Sequence, residues 1–393
     1  MKVKGFLQDV SGASRVTKMR QENFAKASSV PDPSDPIRAL ADALHPGKQI
    51  FEVTEIRDVS KTAKTFHLEP LNGHIPVFQA GQYINFYLKI GNSTLSRPYS
   101  ISSAPFEAKQ EKPFVEVTIR RNVSYLVPDY FFDHVKVGDH LEASMPHGFF
   151  YYEPLRDTEN VVALAGGSGI TPFVSMAKDV AHGDTDIDLT ILFGSVKAED
   201  IICREELEEL ERRCDKIHVV HVLSNDPEWE GEKGFITKEL IEKYAKENST
   251  YFFCGPLAMF DLMKSVMAEM EVPAKRFRYE AMSQPSDVTK IPGFPEEFME
   301  KEVELTVVRG IQKDVIKAKC KEPIAVALER AAIGIDTHCR AGECGMCRVH
   351  VLSGKYFVSP LGDGRRSMDK QMNYVHSCSA YPLEDMTIKI PII

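Results

Sequence analysis

Between residues 49 and 156, apolar and polar positions alternate in short runs separated by turn residues: IFEVTEIRDV, AKTFHLEP, QYINFYLKI, RPYSISSAP, PFVEVTIRR and DHLEASMP. Alternation with period two buries one face of each strand, and this succession predicts an antiparallel β-barrel. From 157 to 283 the rhythm changes. NVVALA runs through a glycine turn into the helical pattern PFVSMAKDV. DLTILFGS then precedes EDIICREELEELERR, IHVVHVLS precedes ITKELIEKYA, and STYFFCG precedes PLAMFDLMKSVMAEM. Apolar strands alternating with helices predict an α/β domain with a parallel sheet covered on both faces. Residues 284–299 are polar and proline-bearing and read as a linker. Residues 300–393 form a third unit of α+β character. It has a strand KEVELTVVRG, a helix PIAVALERAAIG, a cysteine-bearing loop, and closing strands RVHVLSG and MTIKIP.

Residues 1–48 precede the barrel. The run SSVPDPSDP is a loop, and PIRALADAL after it predicts a short helix with Ser34 or Asp35 as its cap, Pro36 in its first turn and Gly47 beyond its stop. Ile37, Leu40, Ala41 and Leu44 form one apolar stripe, expected to pack on the next domain. Lys2, Lys4, Arg15, Lys18, Arg20 and Lys26 outweigh Asp9 and Glu22 in the first 27 residues, which read as a basic arm; an organelle transit segment is the alternative.

A length of 393 residues implies roughly two to three domains. The net charge of −9 argues against nucleic acid as a partner, because phosphate binding wants a basic face. No apolar run approaches the ~18 residues of a membrane span, and Asp9 interrupts any secretory core. The expected setting is the cytoplasm, where the eight cysteines stay as thiols or metal ligands.

Three short motifs carry chemistry. In AGGSGITP, Gly166, Gly167, Ser168 and Gly169 turn the chain tightly after a strand. Thr171 and Pro172 then open a helix whose free N–H groups can face a pyrophosphate. A purely structural strand-to-helix turn is the alternative. In RPYS, Arg97, Pro98, Tyr99 and Ser100 place a cation, a ring and a hydroxyl on one strand, fit for a phosphate and a flat heterocycle; an ordinary half-exposed strand would look similar. In CGP, Cys254, Gly255 and Pro256 end a sheet strand, where ligands gather in open α/β folds; Cys254 could equally be a small buried residue.

The order barrel with RPYS, then GGSGITP, then CGP, then FRYEAM with Glu280, resembles the ferredoxin–NADP reductase superfamily. That resemblance implies that Arg97, Tyr99 and Ser100 hold a flavin, with Ser100 near its reactive nitrogen. Gly166–Gly169 and Thr171 would hold the nicotinamide dinucleotide, and Ser100, Cys254 and Glu280 would shape the hydride site. Two positions depart from the pattern: Pro128 stands where a serine contacts the flavin pyrophosphate, and Met282 stands where an aromatic follows the late glutamate. FAD is expected, with FMN the alternative. NADH is expected over NADPH, because Asn225 and Asp226 offer no cation and Lys197 alone does near the other phosphate-discriminating turn.

Cys339, Cys344 and Cys347 have the spacing C-x4-C-x2-C, and Cys378 follows after thirty intervening residues. This is plant-type [2Fe–2S] spacing, whereas zinc sites usually offer two separated close pairs. Gly342 and Gly345 free the loop to aim N–H groups at sulfur. Residues 300–393 resemble plant-type ferredoxins, which implies a β-grasp-like fold and makes these four cysteines the cluster ligands. Cys203, Cys214 and Cys320 read as inert thiols, and His218 and His221 as strand residues. Arg365, Arg366 and Lys370 read as a solvated loop, with a docking face as the alternative.

Together these units imply NADH passing electrons through a flavin and a [2Fe–2S] cluster to a protein electron acceptor. The arrangement resembles reductase components of multicomponent oxygenases, and reductases that feed hybrid-cluster proteins. Direct reduction of a quinone or free flavin, or a redox-sensing interaction module, are the other readings.

Overall fold

The computed structural model describes residues 6–27, 35–121, 126–282, 284 and 287–391. The loop expected at 28–36 lies mostly outside the described residues, as does Ser34. Residues Met1–Pro46 and Gly47–Ile393 form separate compact units. In the first, α1 (Phe6–Lys26) is a helix where the sequence reading predicted only a basic arm. α2 (Pro36–Leu44) forms as expected, because the Asp35 carboxylate accepts from the N–H groups of Ile37 and Arg38, and Pro36 sits at the first turn. Among the described residues no helix is long and apolar enough to cross a membrane.

The second unit opens with the barrel: β1 (Lys48–Ser60), β2 (Ala63–Pro70), β3 (Tyr83–Ile90), β4 (Ser93–Ser100), β5 (Val115–Arg120) and β6 (His140–Ser144). These pair in the order β4-β3-β6-β1-β2-β5, all antiparallel, and an Ile101–Val117 bridge closes the ring. The inward residues, including Phe51, Phe66, Phe86 and Val117, form one core. Helix α3 (Leu126–Asp133) plugs it with Val127 and Phe131; too short for a clear helical period, it is not apparent in the sequence. β4 starts four residues ahead of RPYS, because the hairpin with β3 pairs Ile90 with Ser93.

The α/β domain alternates as expected: β7 (Asn160–Gly166), α4 (Thr171–His182), β8 (Asp188–Ser195), α5 (Arg204–Arg213), β9 (Ile217–Leu223), β10 (Glu232–Lys233), α6 (Lys238–Tyr244), β11 (Thr250–Pro256), α7 (Leu257–Glu269) and β12 (Phe277–Met282). The parallel sheet runs β10-β9-β8-β7-β11-β12, with apolar cores on its two faces. α5 starts later than the helical pattern from Glu199 predicts, because Cys203 at φ 54° interrupts it. The barrel joins this domain through buried charge. Lys178 of α4 reaches Glu116 of β5 at 3.1 Å and Glu206 of α5 at 2.8 Å, and Arg57 and His67 share the same Glu116.

Residues 287–299 carry two 3₁₀ turns and bury Val288, Ile291 and Phe294 against Tyr381 of the third unit. That unit contains β13 (Glu302–Arg309), β14 (Gln312–Lys319), α8 (Ile324–Arg330), β15 (Arg348–Ser353), β16 (Tyr356–Val358), α9 (Ser367–Gln371), β17 (Tyr374–His376), β18 (Ala380–Pro382) and β19 (Met386–Lys389). Its main sheet, β14-β13-β19-β15-β17, is mixed and carries α8 against one core, which is the β-grasp arrangement.

Candidate functional site

The glycine turn lies at the C-terminal edge of the parallel sheet. A Cβ on Gly169 would stand 2.0 Å from the Cys254 carbonyl oxygen, so only glycine lets the turn lie against β11. Thr171 Oγ1 donates to the Ser168 carbonyl at 3.0 Å and fixes the entry into α4. Pro256 and Gly255 flank Gly166 from the neighbouring strand. Cys254 registers with Ala165 on one side and Glu280 on the other, which brings thiol and carboxyl to the same level. Burial, with the nearby Cys339 sulfur adding to it, pushes the Glu280 carboxyl up to about 8. Burial and then Glu280 raise the Cys254 thiol well above its ordinary range.

Sequence reasoning missed Arg120. This residue ends β5, and its Nη1 stands 2.6 Å from where a Gly167 Cβ would be. Its Nε is buried and has no hydrogen-bond partner. A guanidinium with a buried, unpartnered nitrogen beside a glycine turn suits a pyrophosphate. The second arginine in VTIRR, Arg121, instead pairs with Asp129 and Asp133.

On β4, Arg97, Pro98, Tyr99 and Ser100 are half-buried along an edge of the strand that pairs with no other strand, a surface fit for a flat ring system. The Tyr99 ring is seated against Phe86 and Phe131 at 6.0 and 5.7 Å. Arg97 is not directed to the glycine turn. Its fork grips Glu329 of α8 at 2.9 and 3.2 Å, and Arg340 grips the same carboxylate at 2.7 and 3.2 Å.

The cluster loop packs between barrel and sheet. Ala341, Cys339 and Leu361 belong to the apolar core that also holds Met259, Phe260 and Met263 of α7. Gln284 Nε2 donates to the carbonyls of Ala341 and Leu361. The four cysteines associate two by two, Cys339 with Cys344 and Cys347 with Cys378. The N–H groups of Ala341 and Cys344 point at Cys339 Sγ at 3.4 Å each. Gly342 is at φ 87°, with Gly362 O 2.2 Å from its missing Cβ. Among the described residues no three His, Cys, Asp or Glu side chains converge as a single metal ion would need. Two thiol pairs fit two irons with two sulfurs each, and fit one zinc poorly. Cys347 and Cys378 are buried; Cys344 is exposed.

Tyr83 is where these groups meet. It registers with Ser100 in the barrel, and its hydroxyl lies 3.3 Å from His338 Nδ1, next to Cys339. Burial raises its phenol, and Cys344, Glu280 and Cys339 raise it further. Its place in an alternating strand carried no signal of this.

Two further loops are held by bonds of their own. Arg365 and Lys370 both pair with Asp363, and the Arg366 N–H donates to Asp369, so this loop is internally bonded. Past β9, the loop 224–231 carries Asp226, whose Oδ2 accepts from the Ala198 N–H at 3.0 Å. Trp229 in that loop sits edge-on to His221 at 6.2 Å, with Arg204 5.2 Å over its ring.

Comparison with known proteins adds the family. Residues 50–152 match the oxidoreductase FAD-binding domain, residues 163–265 the oxidoreductase NAD-binding domain, and residues 310–383 the 2Fe-2S iron-sulfur cluster binding domain. Ferredoxin–NADP reductase B of Sorangium cellulosum is 30% identical over 234 residues, which cover 57% of this chain and 93% of that protein. The glycine betaine monooxygenase reductase subunit of Pseudomonas aeruginosa is 26% identical over 330 residues, 79% of this chain and 87% of its own. The solved structure of phthalate dioxygenase reductase aligns with a TM-score of 0.64 at 19% identity, covering 88% of this chain and 98% of that one, and shares its fold. The chain therefore belongs to the ferredoxin–NADP reductase family, as an oxidoreductase with an FAD-binding barrel, an NAD-binding parallel sheet and a C-terminal [2Fe–2S] domain.

Proposed function

We propose that the chain oxidises NADH and delivers the electrons to a protein acceptor, an oxygenase component by analogy with the names of its relatives. The flavin supplies the conversion between a two-electron hydride and single electrons, and the cluster supplies a one-electron outlet. The balance is NADH giving NAD⁺, one proton and two electrons, which leave one at a time. The chain's own residues do the placing. Gly166–Gly169, Thr171 and Arg120 hold the dinucleotide, and Tyr99 and Ser100 hold the flavin against β4, while Arg97, its fork on Glu329, fixes that strand. Cys254 and Glu280 shape the hydride site, and Cys339, Cys344, Cys347 and Cys378 hold the iron. A carboxylate beside the Ala198 N–H favours NADH, since it repels a 2′-phosphate there.

The observation that carries this reading is that Tyr83 pairs with Ser100 in the barrel and meets His338 of the cluster loop through its hydroxyl, within electrostatic reach of Glu280. Exposure of Cys344 favours a protein acceptor over a small molecule, because an electron can leave at the surface. The domain boundaries at about 156, 283 and 299 and a cytoplasmic setting belong to the same proposal. The test is Cys378→Ala: NADH reduction of a two-electron dye persists, while reduction of the protein partner is lost. Equal loss of both activities would favour a different route.

A further inference from the structure

We propose that Glu329 is the positioning residue for electron transfer from flavin to cluster, clamping the flavin strand to the cluster loop. The inference rests on the electron route proposed above and adds the device that holds its two ends in register. Glu329 is 7% exposed, and its carboxylate takes both forks at once: Arg97 from β4, at 2.9 and 3.2 Å, and Arg340, the residue after Cys339, at 2.7 and 3.2 Å. Its backbone carbonyl accepts from Ser93 Oγ at 2.6 Å, so the start of β4 is tied to the same helix end.

Around the clamp, the cluster loop is stitched to the barrel residue by residue. The Thr337 carbonyl accepts from Asn85 Nδ2 at 3.0 Å and from Ser96 Oγ at 2.9 Å, and Thr337 Oγ1 lies 2.7 Å from Ser96 Oγ. His338 meets Tyr83. Thus Thr337, His338 and Arg340 all engage β3, β4 or the carboxylate bound to β4, and the one between them is Cys339.

A buried cluster of three charges is a poor stabiliser compared with apolar packing of the same volume. What two planar forks on one carboxylate do supply is fixed direction and distance. Electron transfer between bound groups falls steeply with separation, so this geometry acts on the rate. The reduced flavin would pass one electron to the oxidised cluster; only after the protein acceptor had drained the cluster would a second electron follow, returning the flavin to its oxidised form with its proton lost to solvent.

The test uses the holoenzyme with FAD in excess, mixed rapidly with NADH. Flavin bleaching reports hydride transfer, and the reduced-cluster EPR signal reports the second step. In Glu329→Gln the bleaching rate and NADH KM stay at wild type while cluster reduction slows by about tenfold or more, with unchanged g-values. Glu329→Asp, charged but too short for both forks, falls between. A wild-type second phase in Glu329→Gln overturns the clamp. A wild-type enzyme whose cluster stays oxidised under excess NADH overturns the electron route instead. Should Glu329→Gln lose its cluster, Arg340→Lys keeps the charge, removes the second fork and is read by the same two phases: a slowed second phase supports the clamp, and an unchanged one overturns it.

Discussion

Cys254 and Glu280 stand opposite each other in the parallel register of β11 and β12, a thiol and a carboxyl at one level of the sheet edge. With its carboxyl pushed up to about 8, Glu280 keeps its proton at neutral pH and can donate a hydrogen bond. NADH oxidation by the wild type is expected to fall as pH rises through 8, while Glu280→Gln gives a flatter profile of kcat/KM. A raised acid stabilises the fold below its unfolded value, and that contribution is lost as pH rises through the folded value. Glu280→Gln should therefore melt higher than wild type at pH 9, and the gap should shrink at pH 6. Parallel profiles and parallel melts would refute the assignment.

The seam between barrel and sheet makes the opposite prediction. Burial alone would raise Glu116, but the hydrogen bond from His67 and the charges of Lys178 and Arg57 bring it down to about 2. A depressed acid contributes stability above its unfolded pKa and loses it as pH falls toward the folded one. From 4.5 down to about 2, this is worth about 3 kcal/mol. Glu116→Gln should cost about that much in urea unfolding at pH 7, and the difference should close as pH falls below 4.5. A constant difference down to pH 3 would count against the network.

Asp226 tests nucleotide choice. Its carboxylate already occupies the Ala198 N–H, which faces the turn after β8. Asp226→Arg exchanges repulsion for a guanidinium and should raise the ratio of NADPH to NADH kcat/KM by about tenfold or more. An unchanged ratio in steady-state assays would move the discriminating contact elsewhere.

Arg120 tests the turn itself. Its Nη1 lies beside Gly167, and its Nε is buried and unpartnered, which is costly unless an anion arrives. Arg120→Ala should raise the NADH dissociation constant in stopped-flow titration by about tenfold, with flavin content unchanged. An unaltered constant would leave the orphaned nitrogen without a ligand.

The parts legible in the sequence are those written in local chemistry. The alternation in AKTFHLEP gave β2 to the residue, and DLTILFGS gave β8. The spacing of Cys339, Cys344 and Cys347 marked the cluster loop because three ligands lie within one turn of chain. Elements that depend on partners were not legible. β16 and β18 are three residues each and exist only through pairing with one another. Cys203 ended a run that reads as helix from Glu199, since the seating of its backbone against Val59 decides its left-handed φ. The same applies to Glu329 and Tyr83. One reads as the polar side of an amphipathic helix and the other as an alternating strand residue; their roles arise when residues more than two hundred positions apart are brought together.

Trp229 is the one tryptophan among 393 residues, and it stands beside His221 and under Arg204 in the loop that carries Asp226. Its emission is therefore a single-site optical signal. Excitation near 295 nm (about the red edge of indole absorption) samples this loop alone, so the protein carries a built-in reporter for what arrives at the third strand of its sheet.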